Sequence, residues 1–459
     1  MSKKILWLLA IIVVAVAAIV FVFRGQNQEN NVVVVEEEEY VTERIGDGST
    51  VLSYAVHWTE DFQLNGIYEG GQLIEKGLRQ YLEEYVEVNP DIAFDIMIVP
   101  YVEYESKLQL LHDIDEVPDI FQAYSPWGAT YLEKNMIAMP PQDIKDDVEN
   151  NYISKAGAYM EGDIWGIPSE INDFSLIYNK KIFKDAGIVD QNGEALAPVT
   201  WTDLVDAASR TTKWDEAGNI TTYGFAFTKG MDWAVVDPFL SLLLSNGGAY
   251  LNEDNTRAVF NSGEGIEVLS EIVSLFDNSY TDTNSNVWDF SDGKVAMAFI
   301  APWTEGVFKE GMAERFDEEV GVAPIPYFQE PGTLQYNWFL GVMEKSNNKN
   351  EAWDFLRWFT TEIQAERGTT RYGDLMARTI KAIPSRLVDM ENNADVLEDN
   401  DFKAPFIAQL EISTPEPNIP QAAAIKQVLM QEIEAAWIGK DPADALNDAA
   451  YQVNSLLRN

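Results

Sequence analysis

WGIPSEINDFSLIYN, residues 165–179, is the stretch on which the reading of the fold turns. Gly166 and Pro168 bracket a bend, and beyond it Phe174, Leu176 and Tyr178 alternate with Ser175, Ile177 and Asn179 at the period of a strand. Periodicity alone fits an ordinary core strand. The alternative is a strand that crosses between two lobes, and the choice rests on the residues just downstream: KKIFKDAG at 180–187, a turn at Asn192-Gly193, and Pro198-Val199-Thr200-Trp201 opening a helix. Thr200 and Asp203 have capping-box spacing, so hydroxyl and carboxylate can each satisfy a free backbone donor at that helix start.

The chain has 459 residues, more than one compact core usually holds, so two lobes or domains are expected. A 46% apolar content with 13 Trp and 19 Tyr specifies a globular body. The formal charge of −43, from 75 acidic against 32 basic residues, argues against nucleic acid or an anionic lipid surface as partner, since cationic patches drive both. Cysteine is absent, which excludes disulfides, thiolate zinc and a lipid-modified cysteine.

Lys3 and Lys4 precede an uncharged apolar run at 5–23 that ends at Arg24. As a helix it is roughly 28 Å long, about the thickness of bilayer hydrocarbon. A cleaved secretory signal would use 5–14 as its apolar core and Ala15-Val16-Ala17 as cleavage site. Residues 18–23 stay apolar past that site, which favours an uncleaved anchor with the body outside. Residues 1–24 are thus read as anchor or signal and 25–49 as an acidic tether; the Val32 to Val35 run has no functional account.

Strand and helix patterns then alternate: strands at 51–56 and 92–99 and one entered at Pro118-Asp119-Ile120-Phe121, with helices at 71–88 and 103–111. This is the pattern of a doubly wound α/β lobe with a largely parallel sheet, in which ligands sit beyond the carboxyl ends of the strands. His57 and Trp58 follow the first strand end, and Tyr124 and Trp127 the third. Further strands are expected at 223–227, 295–300, 321–326 and 336–343, with helices from 200, at 233–245 and 265–276, and at 352–360, 402–410, 422–438 and 443–457.

Pro118-Asp119-Ile120-Phe121, the stretch at 165–179, Pro198 to Trp201, Asn246-Gly247-Gly248, DGKVAMAFIAPW at 292–303 and EPNIPQ at 416–421 occur in one order. Together they resemble the extracellular solute-binding proteins of ABC transporters, the maltose-binding-like family. The resemblance covers about 50–459 and implies the type II periplasmic-binding-protein fold: two doubly wound α/β lobes joined by a hinge. Residues 50–168 plus 293–332 are assigned to the first lobe, and 169–292 plus 333–459 to the second. It also implies an exported receptor that closes on a small molecule and delivers it to a membrane permease, with no catalysis; a monomer without a cofactor is expected.

The family's cleft aromatic falls on Trp303, although Ala301 stands where the family has glycine. Its acidic position near the crossing falls on Asn172, with Glu170 two residues earlier. Tyr124 and Trp127 correspond to the first-lobe ligand segment. Trp338 sits where the second pass between lobes resumes, Trp233 starts a second-lobe helix, and Trp58, with His57, completes the expected set. Downstream of EPNIPQ the maltose receptors' cleft aromatic is replaced by Lys426, which argues against maltodextrin itself.

Other chemistries find less support. No Gly-x-Ser-x-Gly occurs, and His57 and His112 are the only histidines. No phosphate-cradling glycine loop with lysine is present. Asp282, Asn284, Asn286 and Asp289 lack the glycine and bidentate Glu of a calcium loop. A glycosidase needs only two carboxylates, which 75 acidic residues supply by chance. The reading is therefore a membrane-tethered receptor for a carbohydrate. The alternatives are a polyamine, other cation or peptide as ligand, a ligand-sensing receptor subunit, and a glycoside-acting enzyme.

Overall fold

The stretch at 165–179 breaks at Phe174 into two strands, and each joins a different sheet. Ile167–Asp173 pairs antiparallel with Thr333–Met343, while Ser175–Asn179 pairs with Met297–Ile300 on one side and Val320–Pro324 on the other. At the break the Phe174 amide donates to Thr333 Oγ1 at 3.2 Å instead of to a ladder partner. One continuous run of chain therefore feeds both sheets.

The computed structural model describes residues 42–153, 158–160 and 163–458. The apolar run at 5–23, the Val32 to Val35 run and most of the tether lie outside the described residues. Among the described residues no helix is long and apolar enough to cross a membrane. The end of the expected tether is structured: Thr42–Ile45 pairs antiparallel with Ile92–Ile98 as an edge strand.

The large sheet has nine strands among the described residues, and its main path runs Thr42–Ile45, Ile92–Ile98, Thr50–Val56, Ile120–Tyr124, Thr333–Met343, Ile167–Asp173, Ile383–Pro384. Only part of it is parallel. Thr50–Val56 runs parallel to both Ile92–Ile98 and Ile120–Tyr124, but Thr333–Met343 is antiparallel to Ile120–Tyr124, and the three-stranded sheet is antiparallel throughout. The large sheet is thus mixed where a largely parallel one was expected, and the small sheet is antiparallel.

Sheet membership cuts across the segments assigned to the two lobes from sequence. Segment 293–332 supplies the two strands that flank Ser175–Asn179, whereas Thr333–Met343, assigned to the second lobe, lies inside the large sheet and is buried along its whole length. Sequence period could not decide this, because a strand buried on both faces shows no alternation. The buried apolar residues around both sheets form one contiguous cluster, from Leu52 and Phe94 to Leu243 and Leu429. A second, smaller cluster gathers Ile177, Ile300, Phe308 and Phe316.

The helix expected at 71–88 is shorter, Leu78–Val88. Gly70 and Gly71 both take positive φ, 58° and 85°, and turn a hairpin between Ile67–Glu69 and Gln72–Glu75. The capping box at Thr200 is formed: the Asp203 amide donates to Thr200 Oγ1 at 3.2 Å, and the Thr200 amide to Asp203 Oδ2 at 2.9 Å. Residues 223–227 make isolated bridges at Tyr223 and Ala226 rather than a full strand.

Candidate functional site

Three parallel strands, Thr50–Val56, Ile92–Ile98 and Ile120–Tyr124, end along one edge of the large sheet. His57, Trp58, Tyr101 and Tyr124 lie at or just past those ends and line a cavity of about 470 Å³. Glu170, Tyr336 and Trp338 reach the same cavity from the two antiparallel strands beside them; Glu170 lies opposite Trp338 in register. The facing wall comes from elements around the small sheet: Met231, Trp233 and Asp237 at the start of the Asp232–Ser245 helix, Trp288, Trp303, and Val307 in the Thr304–Met312 helix.

The wall on the large sheet is prepacked. His57 stacks on Trp338 with ring centroids 3.8 Å apart and planes 13° apart, and Tyr124 lies 5.6 Å from Trp338. Burial pushes the His57 imidazole down to about 3, so the ring is neutral at physiological pH and acts as an aromatic plate. Its backbone N–H donates to Gln122 Oε1 at 3.1 Å, which fixes the turn after the strand.

On the opposite wall Trp233, Trp288 and Trp303 form a triangle with centroids 5.6, 5.9 and 6.1 Å apart. All three are half-buried and line the cavity, which leaves apolar ring surface for a guest. Trp303 Nε1 donates to Tyr336 OH at 2.9 Å and so joins the two walls. Nearby, Phe62 abuts Gly306, where an added Cβ would come 3.0 Å from Phe62 Cζ. Both walls therefore approach closely at this rim.

Charge on the lining is one-sided. Glu60, Glu170 and Asp237 line the cavity, and among the described residues no Lys or Arg does. Behind Asp237 sits Lys426, fully buried on the Ala422–Trp437 helix. Its Nζ lies 2.7 Å from Asp237 Oδ1, 3.2 Å from Glu416 Oε1 and 3.8 Å from Asp232 Oδ2, and donates to Tyr124 OH at 2.9 Å. Tyr124 OH in turn donates to Glu416 Oε2 at 2.6 Å. Burial opposes the Lys426 charge, but Asp237 and Glu416 outweigh it and hold the ammonium protonated. Burial pushes the Asp237 carboxyl well up against the pull of Lys426.

Glu170 is differently placed. Among the described residues its hydrogen-bond donor is Asn172 Nδ2 at 3.1 Å, and burial pushes the carboxyl up to about 7, with Asn172 and the more distant Lys403 pulling the other way. Of the residues singled out from sequence, Trp303, Glu170, Tyr124, Trp338, Trp233, Trp58 and His57 line the cavity. Asn172 and Trp127 do not. Asn172, paired with Tyr336 in register, is fully buried and turned along its own strand to hold Glu170. Trp127 packs behind the wall, edge-on to Trp338 at 5.4 Å and stacked on Tyr104 at 6.2 Å.

The sequence reading missed Tyr101, Tyr336, Trp288 and Asp237. The same strand-end rule that found His57 and Tyr124 applies to Tyr101, and the two-residue period of a strand carries Trp338 back to Tyr336. Asp237 announces itself as the lone acid inside the apolar run AVVDPFLSLLL. Trp288 has no sequence signal beyond being an aromatic in a polar loop.

Comparison with known proteins gives one consistent result. A family model described as bacterial extracellular solute-binding protein matches residues 70–366. The maltotriose-binding protein of Pyrococcus abyssi is 24% identical over 294 residues, 61% of this chain and 58% of that protein. The maltodextrin-binding protein of Bacillus subtilis is 22% identical over 379 residues, 77% and 81% of the two chains. Among solved structures, an ABC substrate-binding protein of Listeria monocytogenes in complex with cycloalternan superposes with a TM-score of 0.73 at 19% identity, over 90% of this chain and all of that one. At that identity the match shows the shared fold, a mixed α/β architecture with a large sheet.

Proposed function

The chain belongs to the bacterial extracellular solute-binding protein family, and from that premise we propose that it captures an oligosaccharide in the cavity between its two aromatic walls and hands it to an ABC importer. The observation that carries this reading is the pair of walls itself: Trp338, His57, Tyr101 and Tyr124 on one side, Trp233, Trp288 and Trp303 on the other. Aromatic faces pack against the apolar faces of sugar rings, and carboxylates and hydroxyls at the edges accept and donate to sugar hydroxyls. A volume of about 470 Å³ falls within the usual range for small-molecule sites. The relatives named above bind maltotriose, maltodextrin and cycloalternan, which supports the same ligand class here.

Trp303, Trp233, Trp338, Tyr124, Trp58 and Glu170 are proposed as ligand contacts, together with Asp237 and Tyr336. Residues grouped around the two sheets act as two lobes, with the break at Phe174 as one hinge strand. Because the guest touches both walls, only the closed arrangement gains the whole interaction energy, and binding shifts the population toward it. The run at 5–23 is proposed to anchor the protein with its body outside the cell; a native protein whose mature chain starts at Ala18 would remove the anchor.

The test is a titration of purified protein with malto-, manno- and cello-oligosaccharides, spermidine and short peptides, followed by thermal shift and tryptophan fluorescence. An oligosaccharide is expected to raise the melting temperature and perturb the cavity tryptophans. Shifts by spermidine or peptides alone would overturn the carbohydrate assignment.

A further inference from the structure

Resting on the carbohydrate reading, we propose that the sugar this cavity selects carries a basic amine, seated against Asp237 and the Trp233 ring: an amino-oligosaccharide rather than a neutral one. The starting observation is an unanswered atom. Asp237 is fully buried and lines the cavity, and its Oδ2 has no hydrogen-bond donor among the described residues, while Oδ1 faces Lys426. A buried carboxylate oxygen of this kind, on the wall of a binding cavity, is a group whose partner comes with the ligand.

The charge that partner must carry is set by the groups around it. Asp232, Asp237 and Glu416 share one ammonium, that of Lys426, at 3.8, 2.7 and 3.2 Å. Tyr124 OH supplies Glu416 with a neutral donor, and Tyr101 OH approaches Asp232 Oδ1 at 3.5 Å; neither adds positive charge. The lining brings none either, since among the described residues it contains no Lys or Arg and its histidine is held neutral. Burial pushes the Asp237 carboxyl up towards its protonated form, and an added cation is what would return it to the carboxylate. A hydroxyl would meet Oδ2 without adding charge; an ammonium meets it and stabilises the ionised carboxylate.

Geometry supplies the rest of the seat. Trp233 and Asp237 stand four residues apart on the Asp232–Ser245 helix, so ring and carboxylate share one face, and both line the cavity. A cation between a carboxylate and an indole face gains from both. Glu170, across the cavity, is a second buried carboxylate on the lining. Lys403, the cation that pulls on it, is itself paired with Glu305 at 2.8 Å. An acidic sugar such as a uronate meets a buried carboxyl at either end and, among the described residues, a lining cation at neither.

Isothermal titration of the full chain with a glucosamine trisaccharide, its N-acetylated counterpart and cello-, malto- and mannotriose tests this, since acetylation removes the charge and keeps the ring. The glucosamine trisaccharide is expected to bind about tenfold or more tightly than any neutral one. Its advantage should shrink with added salt and in Asp237→Asn. If that variant does not fold, the wild-type affinity ratio and its salt dependence decide. Neutral trisaccharides that bind as tightly as the amine, or more tightly, overturn the amine inference and leave the carbohydrate reading standing. Spermidine binding with no saccharide binding overturns both.

Discussion

Two lysines are buried beside the cavity, Lys403 and Lys426, and they do opposite things. Among the described residues Lys403 pairs directly with one carboxylate, Glu305, which also has Lys309 at 2.7 Å and Asn400 Nδ2 at 3.0 Å. Burial raises the Glu305 carboxyl, but Lys403 and Lys309 more than offset it and hold it down at about 2. Lys403 also donates to the Pro302 carbonyl, so the cluster pins the turn that presents Trp303. Lys426 is shared among three carboxylates, one of which, Asp237, is on the cavity lining and has a buried oxygen without a donor among the described residues. One cluster is saturated; in the other a single ammonium serves three carboxylates.

The largest effect that would sharpen this contrast is expected from Lys426→Met. It strands Asp237 and Glu416 without a cation and should cost roughly 3–5 kcal/mol in denaturant unfolding at neutral pH. Lys403→Met leaves Glu305 its Lys309 and Asn400 contacts, so about 1–3 kcal/mol is expected from the same measurement. Equal losses would break the distinction between the clusters.

Glu170 and Glu305 sharpen it further, being buried carboxyls shifted in opposite directions, to about 7 and about 2. Glu305 is depressed, so its contribution is present above the unfolded value of 4.5 and lost as pH falls toward 2. Glu170 is raised, so the folded state keeps a proton the unfolded chain releases, and stability declines as pH rises from 4.5 through about 7. Glu170→Gln should therefore be more stable than the parent by roughly 2–3 kcal/mol above neutral pH, with no difference well below 4.5. A pH-independent gap between the two melting curves would contradict this.

Trp303→Ala separates the wall from the cluster that holds it. A loss of about 1–2 kcal/mol in ligand affinity is expected by titration, with the Lys403–Glu305 pair intact. Smallest is Gly306→Ala, whose methyl requires the Phe62 ring to give by a few tenths of an ångström. Affinity should fall by less than about 1 kcal/mol, and an unchanged value would mean the walls do not meet at this rim.

The elements were largely legible because their signals are local. Thr200 and Asp203 announced a helix start, and Lys349–Thr360, Ala422–Trp437 and Pro442–Leu456 keep to their apolar spacing to within a few residues. Much of the site was legible as well: the cavity residues at strand ends follow from where an α/β sheet leaves room, and Trp303, Trp233 and Glu170 from resemblance. Asn172 and Trp127 lie off the cavity lining, because position along a segment does not say which way a side chain turns once its neighbours are packed. Residues 361–400 were assigned no element, and there the chain makes a short helix, a π-helical turn at Leu375–Ile380 and the edge strand Ile383–Pro384.

By itself the sequence determined the kind of molecule: local periodicity, caps and an ordered set of landmarks were enough for a two-sheet α/β binding protein with an aromatic-rich site. Only tertiary structure decided which strands share a sheet, since Thr333–Met343 is buried on both faces and carries no alternation to read. It alone also decided that Lys426, 189 residues from Asp237 along the chain, stands behind it at 2.7 Å. Charge acts through space, and no spacing along a chain reports how many carboxylates one buried ammonium must serve.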